Sequence, residues 1–508
     1  MSLIKIKSAL ISVFHKDGLN NLVSLLAEND IEIYSTGGTL EYIHSLGIAA
    51  KSVESITDYP SILDGRVKTL HPKVFGGILA KRSDDHLAQL ERYAIPTFDL
   101  VVVDLYPFEK TVLETQDESQ IIEKIDIGGI SLIRAAAKNY QDVVIIPSQE
   151  EYPILENILK DLKATTDLSL RKRLATKAFA VSSYYDSVIF HYFNRESNVN
   201  QLRVSQKHAM PLRYGENPHQ NAVFYGDYSQ YFEVLGGKEL SYNNLLDIDS
   251  AVSIIKEFRN DEPTIAIIKH TNPCGVATRT ALSEAWRKAL SSDPVSAFGG
   301  IFVSNKVIDE ATAVLMDELF FEIVIAPDFY PNALQILSKK KNRRIIKLKT
   351  IENHGQLLRS VFGGYLCQDS DTSLVNPSAW RMATKILPNE KEIEDLFFAS
   401  KCVKHLKSNA IALVKDRQLV GMGCGQTSRV DALKQAITKA ETLGFSLDGA
   451  VMASDAFFPF PDCVEIAHRA GISSVIHPGG SVKDQDSIDY CNQHSMSMVI
   501  TGERHFKH

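Results

Sequence analysis

Apolar runs alternate with helical periodicity from the start of the chain. ALISVF (9–14) predicts a buried strand, after which Leu19, Leu22, Val23, Leu25 and Leu26 fall on one helical face. IEIYS (31–35) predicts a second strand, followed by the turn Gly37-Gly38 and a short helix. DLVVVDLYPF (99–108) is rich in β-branched residues and is stopped by Pro107. A helix is predicted from about Ile130 to Asn139, ahead of the strand DVVIIP (142–147). Strands alternating with helices imply an α/β domain with a mostly parallel sheet covered on both faces. Residues 150–194 read as largely helical and close this first domain.

The polar, pattern-poor stretch 195–212 marks a boundary and divides the chain into 1–196 and 197–508. Alternation then resumes. PTIAIIKH (263–270), GGIFVS (299–304), EIVIAP (322–327), NAIALV (409–414) and GAVMAS (449–454) predict buried strands between helices. IIKHTNPCGVA and LVGMGCGQTSR share one layout: a strand with a polar end, a Gly-containing loop, then a helix. That layout hints at two related α/β lobes, about 197–385 and 386–508.

Composition narrows the function classes. A chain of 508 residues is too long for one core, and 44% hydrophobic residues exclude wholesale disorder. The net charge of −7 makes it a poor coat for nucleic acid or an anionic membrane. No run approaches the roughly 18 apolar residues of a membrane span. The opening MSLIKIKSALISVFHKDG has lysines inside its apolar run and no small-residue cleavage pattern, unlike a secretory signal. Cys274, Cys367, Cys402, Cys424, Cys463 and Cys491 form no CxxC pair, which suits the reduced thiols of a cytoplasmic protein. Lys339, Lys340, Lys341, Arg343 and Arg344 make the one strong basic cluster, either a solvated loop or an attractor for a polyanionic substrate tail.

Candidate chemistry gathers at strand ends. Ser35-Thr36-Gly37-Gly38-Thr39 follows a strand and opens a helix, so hydroxyls and free helix N–H groups converge on an anion. Read alone, it is also a glycine turn with a threonine N-cap. Arg66, Lys68, His71 and Lys73 crowd one segment, just after the acidic turn Leu63-Asp64-Gly65. Tyr106 ends a buried strand, Asp126-Ile127-Gly128-Gly129 precedes a helix, and Lys138 lies on that helix. Ligands in open α/β sheets bind beyond strand C-termini, so these loops should aim Lys68, Tyr106, Asp126 and Lys138 at the phosphate cradle. Arg213 to Gln220 reads as a polar turn. In Lys269-His270, each charge disfavours the other if both are shielded, which keeps the imidazole neutral as a base; read alone, His270 is also a satisfied structural histidine. Lys407-Ser408-Asn409, Gly423 to Arg429, Ser454 to Phe460 and His477 to Ser481 complete the set; the aromatics after residue 456 are core, or they flank a flat ring. GxxxxGK[ST], GxSxG, HExxH and His-x-Glu are absent, and no ligand pair accompanies Cys402 and His405.

STGGT, RVKTLHPKV, DLYPF, DIGG, RYGENPHQ, SYNNLLD, KHTNPCG, SDPVSAFGG, KSNAI, GCGQTSR, SDAFFPF and HPGGS occur in that order. The combination resembles the bifunctional purine-biosynthesis family, phosphoribosylaminoimidazolecarboxamide (AICAR) formyltransferase/IMP cyclohydrolase, from about residue 8 to Phe506. The resemblance implies a methylglyoxal-synthase-like first domain and a second region of two cytidine-deaminase-like lobes without zinc. It implies formyl transfer from 10-formyltetrahydrofolate to AICAR in the second part, and closure of formyl-AICAR to IMP in the first. It also implies a homodimer, no metal and no tightly bound cofactor. Lys269 and His270 match the formyl-transfer pair, and Lys68, Tyr106, Asp126 and Lys138 match the cyclohydrolase positions. Substrate binding falls to Ser12, Lys16, Ser35, Thr36, Gly37, Gly38, Thr39, Arg66 and Thr69 in the first domain. In the second it falls to Arg213, Tyr214, Phe298, Gly299, Glu322, Asn409, Gln426, Arg429, Phe457 and Phe460. Phe75 stands where relatives commonly carry histidine, and Cys402 where a Trp-Lys-Val segment is commoner. The alternative is a formyltransferase whose first domain only senses a nucleotide or phosphate.

Overall fold

The computed structural model describes residues 3–63, 66–350 and 355–508, so Asp64 and Gly65 of the acidic turn lie outside the described residues. The chain divides into two compact units, Met1–Lys207 and His208–His508. The boundary expected after residue 196 falls at the end of the long helix Leu168–Ser197, and the following segment to Lys207 stays with the first unit.

In the first unit a five-stranded sheet runs in the order Lys51–Ser52, Glu32–Ser35, Ser8–Ser12, Leu100–Val103, Val144–Ile146. Every pairing in it is parallel. Ala9 to Ile11, Leu100 to Val103 and Val144 to Ile146 are buried, as strands covered on both faces must be. The helix Leu19–Glu28 buries the five residues its periodicity singles out. Strand order reverses beside Ser8–Ser12, whose neighbours are Glu32–Ser35 and Leu100–Val103. The crevice beyond their C-terminal ends is therefore a topological switch point. The helical stretch after residue 150 is two helices, Tyr152–Lys160 and Leu168–Ser197, with Thr165–Thr166 between them pairing to Ile4–Lys5.

The second unit holds a twelve-stranded mixed sheet. From one edge the order is Phe232–Gly236, Arg344–Leu348, Ile323–Ala326, Ile301–Ser304, Thr264–Lys269, Asn272–Thr278. From the other edge it is Arg381–Met382, Ser497–Ile500, Ser474–His477, Val451–Ser454, Ile411–Lys415, Gln418–Gly423. The two halves repeat one pattern: an antiparallel edge strand, three parallel strands, then an antiparallel hairpin. They join where Ala277 pairs with Gln418. The two-lobe layout hinted at by the sequence is thus present.

One sequence expectation needs correction. IIKHTNPCGVA is a hairpin, not strand–loop–helix: Lys269 pairs with Asn272, and Asn272–Thr278 is itself a strand. Gly275 explains why the motif looked like a loop. A Cβ there would lie 2.0 Å from the Ala289 carbonyl oxygen, so the glycine admits the helix Leu282–Ser291 against the strand. Gly423 does the same in the other lobe, where a Cβ would lie 1.9 Å from the Ala432 carbonyl. Among the described residues no helix is long and apolar enough to cross a membrane.

Candidate active sites

Three strands of the first unit end side by side, and the loops that leave them wall a cavity of about 500 Å³. Val13 to Lys16, Thr36 to Thr39 and Asp104 to Tyr106 follow those strands. Ser12, Lys16, Thr36, Gly38, Thr39, Arg66, Lys68 and Thr69 line the cavity, as do Tyr106 and Asp126. The helix Gly37–Ser45 points its N-terminus into it, and Thr36 makes no side-chain cap, which leaves backbone N–H groups for a ligand. Thr39 Oγ1 donates to the Val13 carbonyl at 2.9 Å and accepts from Lys16 Nζ at 3.1 Å. Lys68 makes no hydrogen bond or ion pair among the described residues. Burial chiefly, and then the Lys68 charge, push the Lys16 ammonium down, while Asp104 opposes them. Two ammonium groups, hydroxyls and a helix N-terminus around one polar cavity are chemistry for an anion such as a phosphate.

Two proton-bearing groups, Asp126 and Tyr106, also line the cavity. Asp126 is buried, and its Oδ1 accepts the Gly129 N–H at 2.6 Å. Burial pushes its carboxyl up, against the pull of that backbone bond, so it holds a proton more readily than a surface aspartate. The Tyr106 phenol is likewise raised by burial, then by the Asp126 and Glu123 charges. Tyr185 secures the loop: its hydroxyl accepts the Asp126 N–H and donates to the Lys124 carbonyl, both at 2.8 Å. Asp104 secures the loop opposite, accepting N–H bonds from Phe14 and, at 3.1 Å, from His15.

Three expected residues lie off the cavity wall. Ser35 is fully buried and donates to the Ile11 carbonyl at 2.8 Å, a bond between strands. Gly37 has a φ of 41°, which favours glycine, and a Cβ there would only touch Lys68 Nζ at 3.8 Å. Lys138 is exposed at the last position of the helix Gly128–Lys138. At 1.5 Å per residue that is about 15 Å from Gly128, so the loops do not aim it at the cradle.

The second constellation sits on the hairpin of the first lobe. Lys269 ends its strand, and Nζ donates to the Phe298 carbonyl at 2.9 Å. Gly299 has a φ of 67°, and a Cβ there would crowd Lys269 Nζ at 3.2 Å. His270 and Thr271 form the turn, with φ of 49° and 61°. The Thr271 N–H donates to Asp247 at 2.7 Å. Glu322 accepts from Asn244 at 3.1 Å and lies 4.0 Å from Arg344. Arg213 is exposed, its guanidinium 5.5 Å from the Tyr214 ring. Asn243 donates to the Glu216 carbonyl at 3.2 Å, which ties this loop to the start of the helix bearing Asp247.

The second lobe reaches this turn through Cys424, whose thiol lies 3.7 Å from Asn272 Oδ1. Asn409 donates to the Gln426 and Thr427 carbonyls at 3.0 and 3.2 Å, and Gln426 donates back to the Cys424 carbonyl at 3.2 Å. Arg429 is buried, paired with Asp455 at 2.7 Å and bonded to the Phe457 carbonyl at 3.3 Å. The aromatic run splits its duties: Phe458 is core, Phe457 half-buried and Phe460 exposed. The basic cluster is mostly structural. Arg343 is buried against Phe321 and pairs with Asp317, Lys340 bonds the Asp317 carbonyl, and Arg344 bonds the Glu239 carbonyl. Lys339 and Lys341 alone of the cluster keep no side-chain hydrogen bond or ion pair among the described residues.

Residues 136–439 match the family described as AICARFT/IMPCHase bienzyme, and residues 18–131 match the MGS-like domain. The bifunctional purine biosynthesis protein PurH of Bacteroides thetaiotaomicron is 55% identical over 99% of both chains. The PurH protein of Acetivibrio thermocellus is 47% identical, over 99% of this chain and all of that one. The chain belongs to the AICARFT/IMPCHase bienzyme family. A solved structure titled "Crystal structure of ForH" covers 37% of this chain and 99% of its own at 29% identity, with a TM-score of 0.34.

Family membership accounts for the motif order, but it does not name the residues that hold the loops. Asp104, Tyr185 and Asp247 were not singled out from the sequence. Asp104 directly follows the LVVV strand, which was a usable signal. Asp247 closes the SYNNLLD motif, so its signal was on the page but no role was read from it, whereas Tyr185 sits inside a long helix and carried none.

Proposed function

We propose that the two units divide the two reactions of the family. The chain is a bifunctional enzyme of purine biosynthesis, an AICAR formyltransferase and an IMP cyclohydrolase, and the comparisons lend no support to a purely regulatory first unit. The MGS-like unit would close the ring. The helix N-terminus at Thr36 to Thr39, with Ser12, Lys16, Lys68, Arg66 and Thr69, holds the 5′-phosphate of formyl-AICAR. The carboxamide nitrogen then attacks the formyl carbon, a C–N bond forms, and water leaves. Because attack is intramolecular, orientation supplies much of the rate. Asp126, with its raised carboxyl, relays the proton lost by the carboxamide nitrogen to the formyl oxygen, to which Tyr106 is bonded as charge develops, and then the formamido N–H proton to the hydroxyl, which departs as water.

Formyl transfer belongs to the second unit. The 5-amine of AICAR is conjugated to its ring and is a poor nucleophile. His270 removes its proton as it attacks the formyl carbon of 10-formyltetrahydrofolate, and Lys269 stabilises the oxyanion until the folate nitrogen leaves protonated. Arg213, Tyr214, Phe298, Gly299, Glu322, Asn409, Gln426 and Arg429 hold the nucleotide, and Phe457 and Phe460 flank the folate ring. The enzyme works as a cytoplasmic homodimer with no tightly bound cofactor. The cavity at the switch point carries this division, because it gathers anion-binding and proton-transferring groups in the unit that lacks Lys269 and His270. The full chain supplied with AICAR and 10-formyltetrahydrofolate should yield IMP. Release of formyl-AICAR alone would remove the assignment of cyclisation to this chain. Sedimentation of the purified protein tests the dimer.

A further inference from the structure

We propose that Asp247 is a positioning residue for formyl transfer: its carboxylate fixes the His270-Thr271 turn, and with it the direction in which Lys269 and His270 leave the sheet. The proposal rests on the assignment of that pair to formyl transfer. Lys269 pairs with Asn272, so the turn has two residues, both left-handed, with φ of 49° and 61°. Such turns favour asparagine and glycine, and a β-branched threonine at positive φ is an outlier that its surroundings must hold in place. The bond from the Thr271 N–H to Asp247 Oδ1, at 2.7 Å, is the hold. Asp247 is half-buried and faces the charges of His270, Lys269 and Glu322, so it stands at the site's edge rather than in the core.

The repeat within the second unit shows that this arrangement is built. Asp247 is the sixth residue of the helix Tyr242–Glu257, and Asp395 is the sixth residue of the helix Glu390–Val403. Both helices open with a capping box, Ser241 with Asn244 and Asn389 with Glu392. In the second lobe the turn is Asp416-Arg417, again left-handed at 53° and 50°, between the paired Lys415 and Gln418. Asp395 accepts both of its N–H groups, at 2.9 and 2.6 Å. One carboxylate at one helical position thus holds one type of turn in each lobe. Asp395 is buried and holds a turn without a lysine–histidine pair, which makes it an internal control.

The test uses full-length Asp247→Ala, Asp247→Asn and Asp247→Glu, with Asp395→Ala and His270→Ala alongside. Formyl transfer, cyclisation of supplied formyl-AICAR and the unfolding temperature are measured for each. Asp247→Ala should lower kcat for transfer by about 10–100-fold, with KM for AICAR within about 3-fold and cyclisation unchanged. Asp247→Asn should recover most of kcat, because its side-chain oxygen still accepts the Thr271 N–H. Asp247→Glu, with the oxygen displaced by a methylene, should fall with alanine and serves if the alanine variant does not fold. Asp395→Ala should lower the unfolding temperature and spare kcat. Wild-type kcat in Asp247→Ala or Asp247→Glu, or an asparagine variant as impaired as alanine, overturns the proposal provided that His270→Ala is inactive. Transfer that survives His270→Ala overturns instead the assignment on which it rests.

Discussion

Gly129→Ala separates the placing of Asp126 from its presence. An alanine Cβ at this position would lie 2.8 and 3.0 Å from the two carboxylate oxygens and 3.1 Å from Cγ. Ordinary contact begins near 3.4 Å, so the carboxylate has to move by several tenths of an ångström or more. The end of one side chain can yield at little cost in fold energy, and alanine is favoured over glycine in a helix by about 1 kcal/mol. The unfolding temperature should therefore change little. Chemistry should not be spared, because the shift strains the 2.6 Å bond from the Gly129 N–H and turns the acid away from the reacting nitrogen. A misplacement approaching 1 Å can cost about 100-fold. We expect kcat for cyclisation of formyl-AICAR to fall by roughly 10–100-fold, read as IMP formation, while formyl transfer by the same preparation is unchanged. Cyclisation at the wild-type rate would refute the reasoning, since Asp126 would then not need its present position.

Asp126→Asn should abolish cyclisation yet raise the unfolding temperature at neutral pH. The folded-state pKa of Asp126 is raised, so its contribution is most favourable at low pH and is lost as pH rises through that pKa; thermal melts of both proteins from pH 4 to 8 should converge at the acid end. Lys68→Ala should make formyl-AICAR accumulate, whereas Lys138→Ala should stay within about 3-fold of wild type, given its place roughly 15 Å along the helix; equal losses would show that Lys138 reaches the site. Lys269→Ala and His270→Ala should each remove formyl transfer and spare cyclisation, and joint loss of both activities in a folded variant would contradict two separate sites.

Much of this was legible because the alternation of apolar strands and amphipathic helices survives in the folded chain. The LVVV and VII strands are apolar on both faces, and the helix 19–28 buries the face its spacing marks. The hairpin at 270 was not legible. His270-Thr271 carries none of the glycine or asparagine that signals a two-residue turn, and Gly275 looked like a loop residue because its role is to admit a helix. The motif reading identified Lys68, Tyr106 and Asp126 as neighbours, and all three line the cavity beyond the strand C-termini, with Ser12, which the resemblance supplied. The same reading misplaced Lys138, because a motif read linearly ignores how far eleven helical residues reach. The basic cluster, read as either a solvated loop or an attractor, is neither at Arg343, which is buried and paired with the half-exposed Asp317.

Both sites meet one physical problem in one way. A loop that leaves a buried strand must bond its backbone N–H groups before water is excluded. Asp104 does this for Phe14 and His15, Asp126 for Gly129, and Asp247 for Thr271. At Asp247 the hydrogen bond to a charged group contributes about 1.5–3 kcal/mol, against about 1–2 kcal/mol for the left-handed Thr271 it holds. The two are nearly balanced, so the carboxylate offsets the strain of this one turn. Acids on neighbouring helices and strand ends thus carry the structural duty. Lys68 is left to face a ligand, and Lys269 is steadied by a single backbone carbonyl. The aiming acids and the reactive residues therefore stand in the same motifs, Asp104 in DLYPF, Asp126 in DIGG and Asp247 in SYNNLLD, because a loop that presents a reactive side chain has to be held where it presents it.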